Sequence, residues 1–424
     1  MKYLIIAFLC LLTQVTAKGQ TDKQNAQSTR PPASHFDPEK AAQSWIDTIP
    51  GEVRRKADQY TEGGYWLILW NFVAAALVAW LFLFGGLSAY IKRKADKIPR
   101  RNAGNMVYIL LYLLLSYLLT LPLDCYQNFI RERQYGFSNQ NFAQWFESDV
   151  STFLVEIMIA GPFLVLIYRV FRKAKENWWW WGAGISIVCT ILVIVVYPVF
   201  IAPLFNNYVP LKDAALKQRI MSMARANEVH IDQVYVYDES LQTKAFNASA
   251  SGIGSTARIS FNDNILNHCT DDEITAIIGH EMGHYVLNHL LILSLEFGIL
   301  IVIGFGFVKW AFDKLAARYD RRWMLSSIQE VTSRPVLVFL FTFYFFIMTP
   351  VSNSIIRTVE TEADNYGLNA AREPDASAAV FIKTADNHKI APGYWEEIFF
   401  YDHPCRQKRI LRAMKWKAEN LTVH

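Results

Sequence analysis

The sequence contains few cysteines and few histidines, and its net charge is small. The five cysteines show no metal-ligand spacing, which gives no sign of a cysteine-based metal site. Cys269 and Cys405 could pair in an oxidising compartment, although buried free thiols are the favoured interpretation. The net charge of +4 gives no support for nucleic acid as a partner. There is no internal repeat, and low complexity is confined to the tryptophan run 178–181.

Apolar residues, in contrast, make up 52% of the chain, which is too much for an ordinary soluble protein of this size. They are concentrated in six segments, each close to the ~20 residues that span a bilayer. The segments are 65–87, 107–123, 153–168, 178–203, 290–308 and 335–351. The sequence therefore predicts a mainly α, multi-pass transmembrane protein with membrane lipid as a partner, and the tryptophan run predicts an interfacial anchor.

The N-terminus has the features of a secretory signal peptide. It combines Lys2, a short apolar core and small residues at 15–17, so residues 1–17 are predicted to be a signal peptide or, alternatively, a retained first transmembrane helix. The next segment, 18–63, is polar and contains prolines. We expect it to be loosely ordered and outside the membrane.

Basic residues alternate between the connectors of the apolar segments. Six lie in 91–106, four in 169–177 and six in 309–334, but only two in 125–150. The positive-inside rule assigns the basic connectors to the cytoplasm and the region 206–288 to the outer side. The basic residues at 54–56 and in the C-terminal tail count against this orientation. We expect a bacterial-type inner membrane protein with an extracytoplasmic active site.

The stretch "IIGHEMGHYV" (277–286) carries the chemistry. Thr270 and Glu273 have the form of a capping box, which predicts a helix through this stretch. His280 and His284 then share one helical face and can bind one metal ion, while Glu281 lies about 100° round and can act as a general base. Imidazoles at an open site favour zinc, with one Zn²⁺ per chain. A third ligand is needed.

The stretch "RTVETEADNYGL" supplies the third ligand. Arg357, Glu360 and Asp364 fall on one helical face, directly after the last apolar segment. Glu360 is the predicted metal ligand, and Asp364 is predicted to orient a histidine or pair with a cation. Glu362 is interpreted as a solvated acidic residue.

These motifs resemble the type I CAAX prenyl endopeptidases, integral-membrane zinc metalloproteases of the gluzincin kind. The resemblance extends from residue 65 to the C-terminus and rests on "GHEMGHYVLNH", "RTVETEAD", "YPVFIAPLFNNYVPL", "RQYGFSNQNF", "FNAS" with "ARISFND", and "YDHPCRQKRI". It implies a chamber enclosed by transmembrane helices, with the zinc inside.

Residue by residue, the resemblance implies roles beyond the ligands and the base. Asn247 and Ala248 are expected on an edge strand that pairs with an extended substrate. His403 is expected to stabilise the oxyanion, with Arg357 and Arg409 as cations near Asp364. Three alternatives stay open: a structural role for His403 at a helix start, a turn role for Asn247, and a solvated Arg409.

Together these features predict a zincin-like catalytic domain with a small β-sheet, since "QVYVYDES" and "ARISFND" alternate as strands do. The predicted regions are 1–17 (signal peptide), 18–63 (polar segment), 64–205 (transmembrane helices 1–4), 206–288 (metallopeptidase region), 289–355 (transmembrane helices 5–6) and 356–424 (C-terminal catalytic region).

The favoured function is a membrane zinc metalloendopeptidase that cleaves extended peptides or membrane-protein segments. Three alternatives are cytosol-facing processing of prenylated C-termini, an intramembrane protease of the site-2 kind, and a non-enzymatic scaffold with a relic zinc site. The sequence gives neither the physiological substrate nor the oligomeric state.

Overall fold

The computed structural model describes residues 36–231, 233–252, 257–323 and 327–421, without the side chains of 320–323. The predicted signal peptide and the polar residues up to 35 lie outside this part of the chain. The described helices are α1 Pro38–Asp47, α2 Gly51–Leu83, α3 Leu87–Ala95, α4 Arg101–Cys125, α5 Arg131–Tyr135, α6 Phe142–Ala174, α7 Trp178–Val196, α8 Ala214–Ala226, α9 Asp263–His268, α10 Asp271–Val286, α11 His289–Trp323, α12 Arg334–Ala371, α13 Pro374–Lys383, α14 Tyr394–Phe400 and α15 Arg406–Asn420.

Five helical stretches of the described residues are long and apolar enough to cross a membrane: Gly51–Leu83, Arg101–Tyr135, Phe142–Leu204, His289–Tyr319 and Val331–Ala371. The third stretch has 63 residues, about three times the length of one crossing. It contains two of the six predicted segments, separated by the 3₁₀ turn Lys175–Asn177. The prediction of a multi-pass helical membrane protein is confirmed.

The chain forms two compact units, and the described part of the first comprises 65–193, 294–323 and 327–349. Its core is a continuous cluster of buried apolar and aromatic side chains from the membrane helices, including Phe82, Tyr108, Tyr112 and Phe171. Tyr108 and Phe82 are fully buried. This unit holds its long helices together by aromatic and aliphatic packing.

The second unit comprises, among the described residues, 36–64, 194–293 and 350–421, and it contains a four-stranded sheet. The strands are β1 Tyr208–Pro210, β2 Gln233–Tyr237, β3 Ala248–Ser251 and β4 Arg258–Asn262, in the order β1-β2-β4-β3. β2 and β4 run parallel, and β1 and β3 pair antiparallel with them. The two strands predicted from alternation, β2 and β4, are confirmed as the central pair.

Two apolar clusters stabilise this unit. The first joins the sheet to α8, α9 and α10 through residues such as Ile220, Ile259 and Ile278. The second joins α1, α13 and α15 through residues such as Ile46 and Ile410. The expectation of loose order up to residue 63 is therefore wrong for its described part, because residues 38–47 and 51–63 are helical.

The four described cysteines, Cys125, Cys189, Cys269 and Cys405, are free thiols, and Cys405 is buried. No disulfide joins Cys269 to Cys405, as the favoured interpretation had it, but Cys125, Cys189 and Cys269 are only half-buried. Cys10 lies outside the described residues.

Candidate metal centre

Helix α10 begins with the predicted capping box. The backbone N–H of Glu273 donates to Oγ1 of Thr270 at 3.3 Å, and Oε2 of Glu273 accepts from the N–H of Thr270 at 2.7 Å. These two bonds satisfy donors that a helix start otherwise leaves unpaired. The helix is thereby fixed at its start and carries His280 and His284 on its last turns.

Helices α10 and α12 approach each other through small residues. A Cβ added at Gly367 would lie 2.8 Å from the backbone nitrogen of His280, and one at Gly283 would lie 3.1 Å from Cα of Ala363. Real Cβ atoms do not come as close as 2.8 Å to backbone, so position 367 requires glycine at the observed backbone separation, and the contact at Gly283 is tight. The close approach brings the carboxylate of Glu360 within reach of both histidine rings.

The three predicted ligands converge on one point. Nε2 of His280 and Nε2 of His284 are 3.1 Å apart, and each lies 3.3 Å from a different carboxylate oxygen of Glu360. In a tetrahedron with bonds of ~2.0–2.1 Å, ligand atoms are separated by ~3.3–3.4 Å. The spacing therefore fits one ion held jointly by His280, His284 and Glu360.

The charge distribution also fits a cation. The Glu360 side chain is 7% exposed, and its Oε2 is buried without a hydrogen bond from the described residues. A buried carboxylate oxygen without a donor is costly unless a cation binds it. Burial lowers the pKa of His280, but the neighbouring carboxylates of Asp364 and Glu360 outweigh it and raise that pKa to about 10. The site therefore favours positive charge.

Asp364 contacts the first histidine, and its predicted role is to orient that ring. Its Oδ1 lies 3.1 Å from Nδ1 of His280, which leaves Nε2 to face the ligand cluster. Two guanidinium groups hold the same carboxylate: Arg409, at 2.5 Å, and Arg412, at 2.6 Å. The sequence prediction found Arg409 but missed Arg412. The signal was available, since a residue three positions later shares a helical face.

The prediction that Arg357 supports Asp364 is wrong. Its Nη1 donates to the carbonyl of Glu397 at 2.9 Å and to that of Tyr401, and its Nη2 donates to Oγ of Ser354 at 2.6 Å. Backbone carbonyls at a helix end need donors, and this guanidinium supplies them for α14. Arg357 thus anchors the segment leading to His403.

His403 lies beside the ligand cluster in the segment between α14 and α15. Its Nε2 is 3.4 Å from Oε2 of Glu360, and its Nδ1 is 2.9 Å from Oδ1 of Asp402. The protein surroundings lower its pKa by desolvation, but the carboxylates of Glu360 and Asp402 raise it to about 9. The two carboxylates therefore favour the protonated form of the ring, which can donate a hydrogen bond from Nε2.

Glu281 is half-buried beside the two histidines on α10. Burial raises the pKa of its carboxyl group, and the neighbouring His280 and His284 act in the opposite direction. A carboxylate with a raised pKa is a better proton acceptor than an ordinary glutamate, which suits the predicted role of general base.

The edge strand β3 begins at Ala248, and Asn247 directly precedes it. The carbonyl of Asn247 accepts from the N–H of Asn262 at 2.9 Å. In an antiparallel ladder the next residue then directs its N–H and C=O away from the partner strand, which leaves the backbone of Ala248 facing the open edge. The Asn247 side chain donates to Oε2 of Glu239 at 2.7 Å, so Glu239 fixes it.

The sequence prediction also missed His289. This side chain is 1% exposed, and its Nδ1 lies 3.0 Å from Nδ1 of His284. Its Nε2 lies 3.2 Å from Oε2 of Glu362, the residue interpreted as merely solvated. The histidine is present in "HYVLNH", but its spacing from His284 is not that of a shared helical face, so pattern reasoning gave it no role.

Comparison with known proteins gives consistent matches. Residues 34–207 match the family described as CAAX prenyl protease N-terminal, five membrane helices, and residues 210–417 match peptidase family M48. The chain is 30% identical over 374 residues to the "Uncharacterized metalloprotease YhfN" of Bacillus subtilis, covering 87% of this chain and 86% of that protein.

A yeast enzyme and a solved structure are also similar. The CAAX prenyl protease 1 of Saccharomyces cerevisiae is 28% identical over 322 residues, covering 72% of this chain and 70% of the enzyme. The crystal structure of S. mikatae Ste24p matches with a TM-score of 0.73 and 24% identity, covering 88% of this chain and 93% of that one. At this identity the structural match establishes a shared fold.

Proposed function

The chain belongs to the type I CAAX prenyl protease family within peptidase family M48 and is a membrane metalloprotease; we propose that its metal is zinc, held by His280, His284 and Glu360. The observation that carries this proposal is the convergence of two imidazole nitrogens, 3.1 Å apart, on one buried carboxylate, each 3.3 Å from one of its oxygens. Two histidines and one glutamate form a donor set used by catalytic zinc sites, which leave a position open for water or substrate.

When bound, the zinc ion would supply Lewis-acid chemistry by activating water and polarising a carbonyl group. Glu281 acts as the general base: its carboxylate takes the proton of the attacking water and passes it to the leaving amine. The protonated His403 donates from Nε2 to the oxyanion that develops on the substrate carbonyl. Asp364 and Asp402 hold the two rings in the orientation these roles need.

An extended peptide would bind along β3. The outward-facing N–H and C=O of Ala248 offer main-chain hydrogen bonds to a substrate strand, which gives affinity with little dependence on side-chain identity. Asn247 fixes the start of that strand through Glu239. Extended peptides or unfolded membrane-protein segments fit this mode.

The distribution of basic connectors favours an active site on the extracytoplasmic side. The prenylated C-termini that give some relatives their name are cytosolic, so in this orientation they are not accessible. A cytosol-facing site would instead favour processing of prenylated proteins.

Glu281→Gln tests the proposed mechanism. The amide keeps the shape of the side chain but cannot take a proton, so we expect the purified variant to bind one zinc ion per chain with cleavage of an extended fluorogenic peptide abolished. Wild-type cleavage should also stop on treatment with a chelator and return with zinc.

Asp271→Asn, at the exposed start of the same helix, is the matched control and should cleave like wild type. Undiminished turnover by Glu281→Gln would contradict the mechanism. Zinc binding by a wild-type protein that cleaves no peptide would instead support a scaffold with a relic site.

A further inference from the structure

His289 contacts His284, the second predicted zinc ligand, on the side of the ring that faces away from the ligand cluster. The two Nδ1 atoms of His284 and His289 are 3.0 Å apart, and the rings meet edge to face at 79°. On the far side, Nε2 of His289 lies 3.2 Å from Oε2 of Glu362, whose side chain is 51% exposed. These side chains form a continuous chain from the ligand cluster to the protein surface.

The break between α10 and α11 creates this contact. On one continuous helix, a residue five positions after His284 would lie about 140° round from it and could not face it. Helix α10 ends at Val286, and Asn288 adopts a left-handed backbone with φ of 56° before α11 begins at His289. This break between the two helices brings the His289 ring against the His284 ring.

The direction of the hydrogen bonds follows from metal binding. Nε2 of His284 faces Glu360 and His280, so as a ligand it offers its lone pair and the ring hydrogen must sit on Nδ1. That hydrogen is donated to Nδ1 of His289, which must therefore be the unprotonated nitrogen. A neutral His289 then carries its hydrogen on Nε2 and donates it to the carboxylate of Glu362.

We propose, on the basis of the proposed function, that His289 and Glu362 are positioning residues that fix the ring orientation and the tautomer of His284 for metal binding. Asp364 positions the His280 ring directly, because its Oδ1 lies 3.1 Å from Nδ1 of His280. Among the described residues no carboxylate contacts Nδ1 of His284, which reaches one, that of Glu362, through the His289 imidazole. Outer partners of this kind typically change metal affinity by about 10–100-fold when removed.

The hydrogen-bonded chain from His284 through His289 to Glu362 is called the relay below. Four variants of the full-length protein, purified in detergent, test it. His289→Leu removes the acceptor at similar volume, while His289→Gln keeps one acceptor and one donor. Glu362→Ala removes the terminal carboxylate from a half-exposed position where little packing is lost. Asn365→Ala, exposed on the same helix as Glu362, is the matched control.

The readouts are zinc affinity by competition with a chelator and the visible spectrum of the Co²⁺-substituted protein. We expect His289→Leu to weaken zinc binding about 10–100-fold and to shift the Co²⁺ bands. Glu362→Ala should weaken binding several-fold, His289→Gln should restore most of the affinity, and Asn365→Ala should change nothing.

Wild-type zinc affinity in His289→Leu would overturn the relay. So would equal losses in His289→Gln and His289→Leu, since a role in packing alone predicts no rescue by a hydrogen-bonding side chain. Failure of the wild-type protein to bind zinc would overturn the proposed function instead, so the two failures are distinguishable.

Discussion

At the residue scale, the proposed metal centre needs fixed residue types at fixed helical spacing. His280, Glu281 and His284 follow from one pattern, and Glu360 from the need for a third ligand. Whether they act in catalysis stays a prediction. The structure adds that they share one site.

The supporting residues were harder to predict because they depend on how distant segments pack. Arg357 and Asp364 share a helical face in the sequence pattern, yet the guanidinium turns to the carbonyls at the end of α14. Arg412 reaches Asp364 from the C-terminal helix, and His289 reaches His284 across the break between α10 and α11. The spacing of residues along one helix does not reveal these contacts between distant segments.

Asp364→Asn should weaken both metal binding and stability. The substitution leaves Arg409 and Arg412, whose side chains are 14% and 22% exposed, facing a neutral amide. Loss of one partner from a buried ion pair costs about 3–5 kcal/mol, and loss of the carboxylate at His280 should lower zinc affinity about 10–100-fold. Thermal unfolding and chelator competition measure the two effects.

Asp375→Asn is the matched control, because this half-exposed carboxylate pairs with Lys417 near the surface and such pairs contribute little. Equal behaviour of the two variants would show that the network around Asp364 supports neither stability nor the metal.

At the element scale, the metal centre depends on the close packing of α10 against α12. Gly367→Ala places a methyl group 2.8 Å from the backbone nitrogen of His280, and backbone cannot move aside as a flexible side chain can. We expect the helices to separate, with a loss of about 1–3 kcal/mol in stability and a marked loss of zinc affinity and cleavage.

Gly51→Ala offers the comparison, because a Cβ there meets nothing within 4 Å. It should leave thermal stability, zinc affinity and cleavage unchanged. Wild-type zinc affinity in Gly367→Ala would mean that the helix separation is not critical for the site.

The N-terminal segment was predicted to be loosely ordered because it is polar, yet it contains helix α1. Helix α1 has a capping aspartate, Asp37, whose side chain accepts from two backbone N–H groups. Ala42 and Ile46, four residues apart, form a buried stripe that packs in the second apolar cluster. A short amphipathic helix needs few apolar residues, so its composition resembled that of a loose segment.

At the scale of the whole molecule, contacts within the first unit support the prediction that the basic connectors lie on the same side of the membrane. Arg101 of one predicted cytoplasmic connector pairs with Glu330 of another at 2.7 Å, so these two connectors lie together. Tyr168, just before the third, contacts Ser333 at 3.2 Å. The side of the membrane on which they lie stays a prediction.

Cysteine labelling in intact cells tests that side. Lys212 and Lys97 are both exposed, the first in the metallopeptidase region and the second in a basic connector. We expect Lys212→Cys to react with an impermeant maleimide in intact cells, whereas Lys97→Cys should react only after permeabilisation. The reverse pattern would place the active site in the cytosol and favour prenylated substrates.

The most direct test of the central claim is zinc K-edge X-ray absorption of the purified protein, compared with Glu360→Gln. We predict two imidazole nitrogens and a carboxylate oxygen at about 2.0–2.1 Å from zinc, no sulfur neighbour, and loss of zinc from the variant. A sulfur shell at about 2.3 Å, or a Glu360→Gln protein that keeps its zinc with unchanged neighbours, would contradict the shared metal centre.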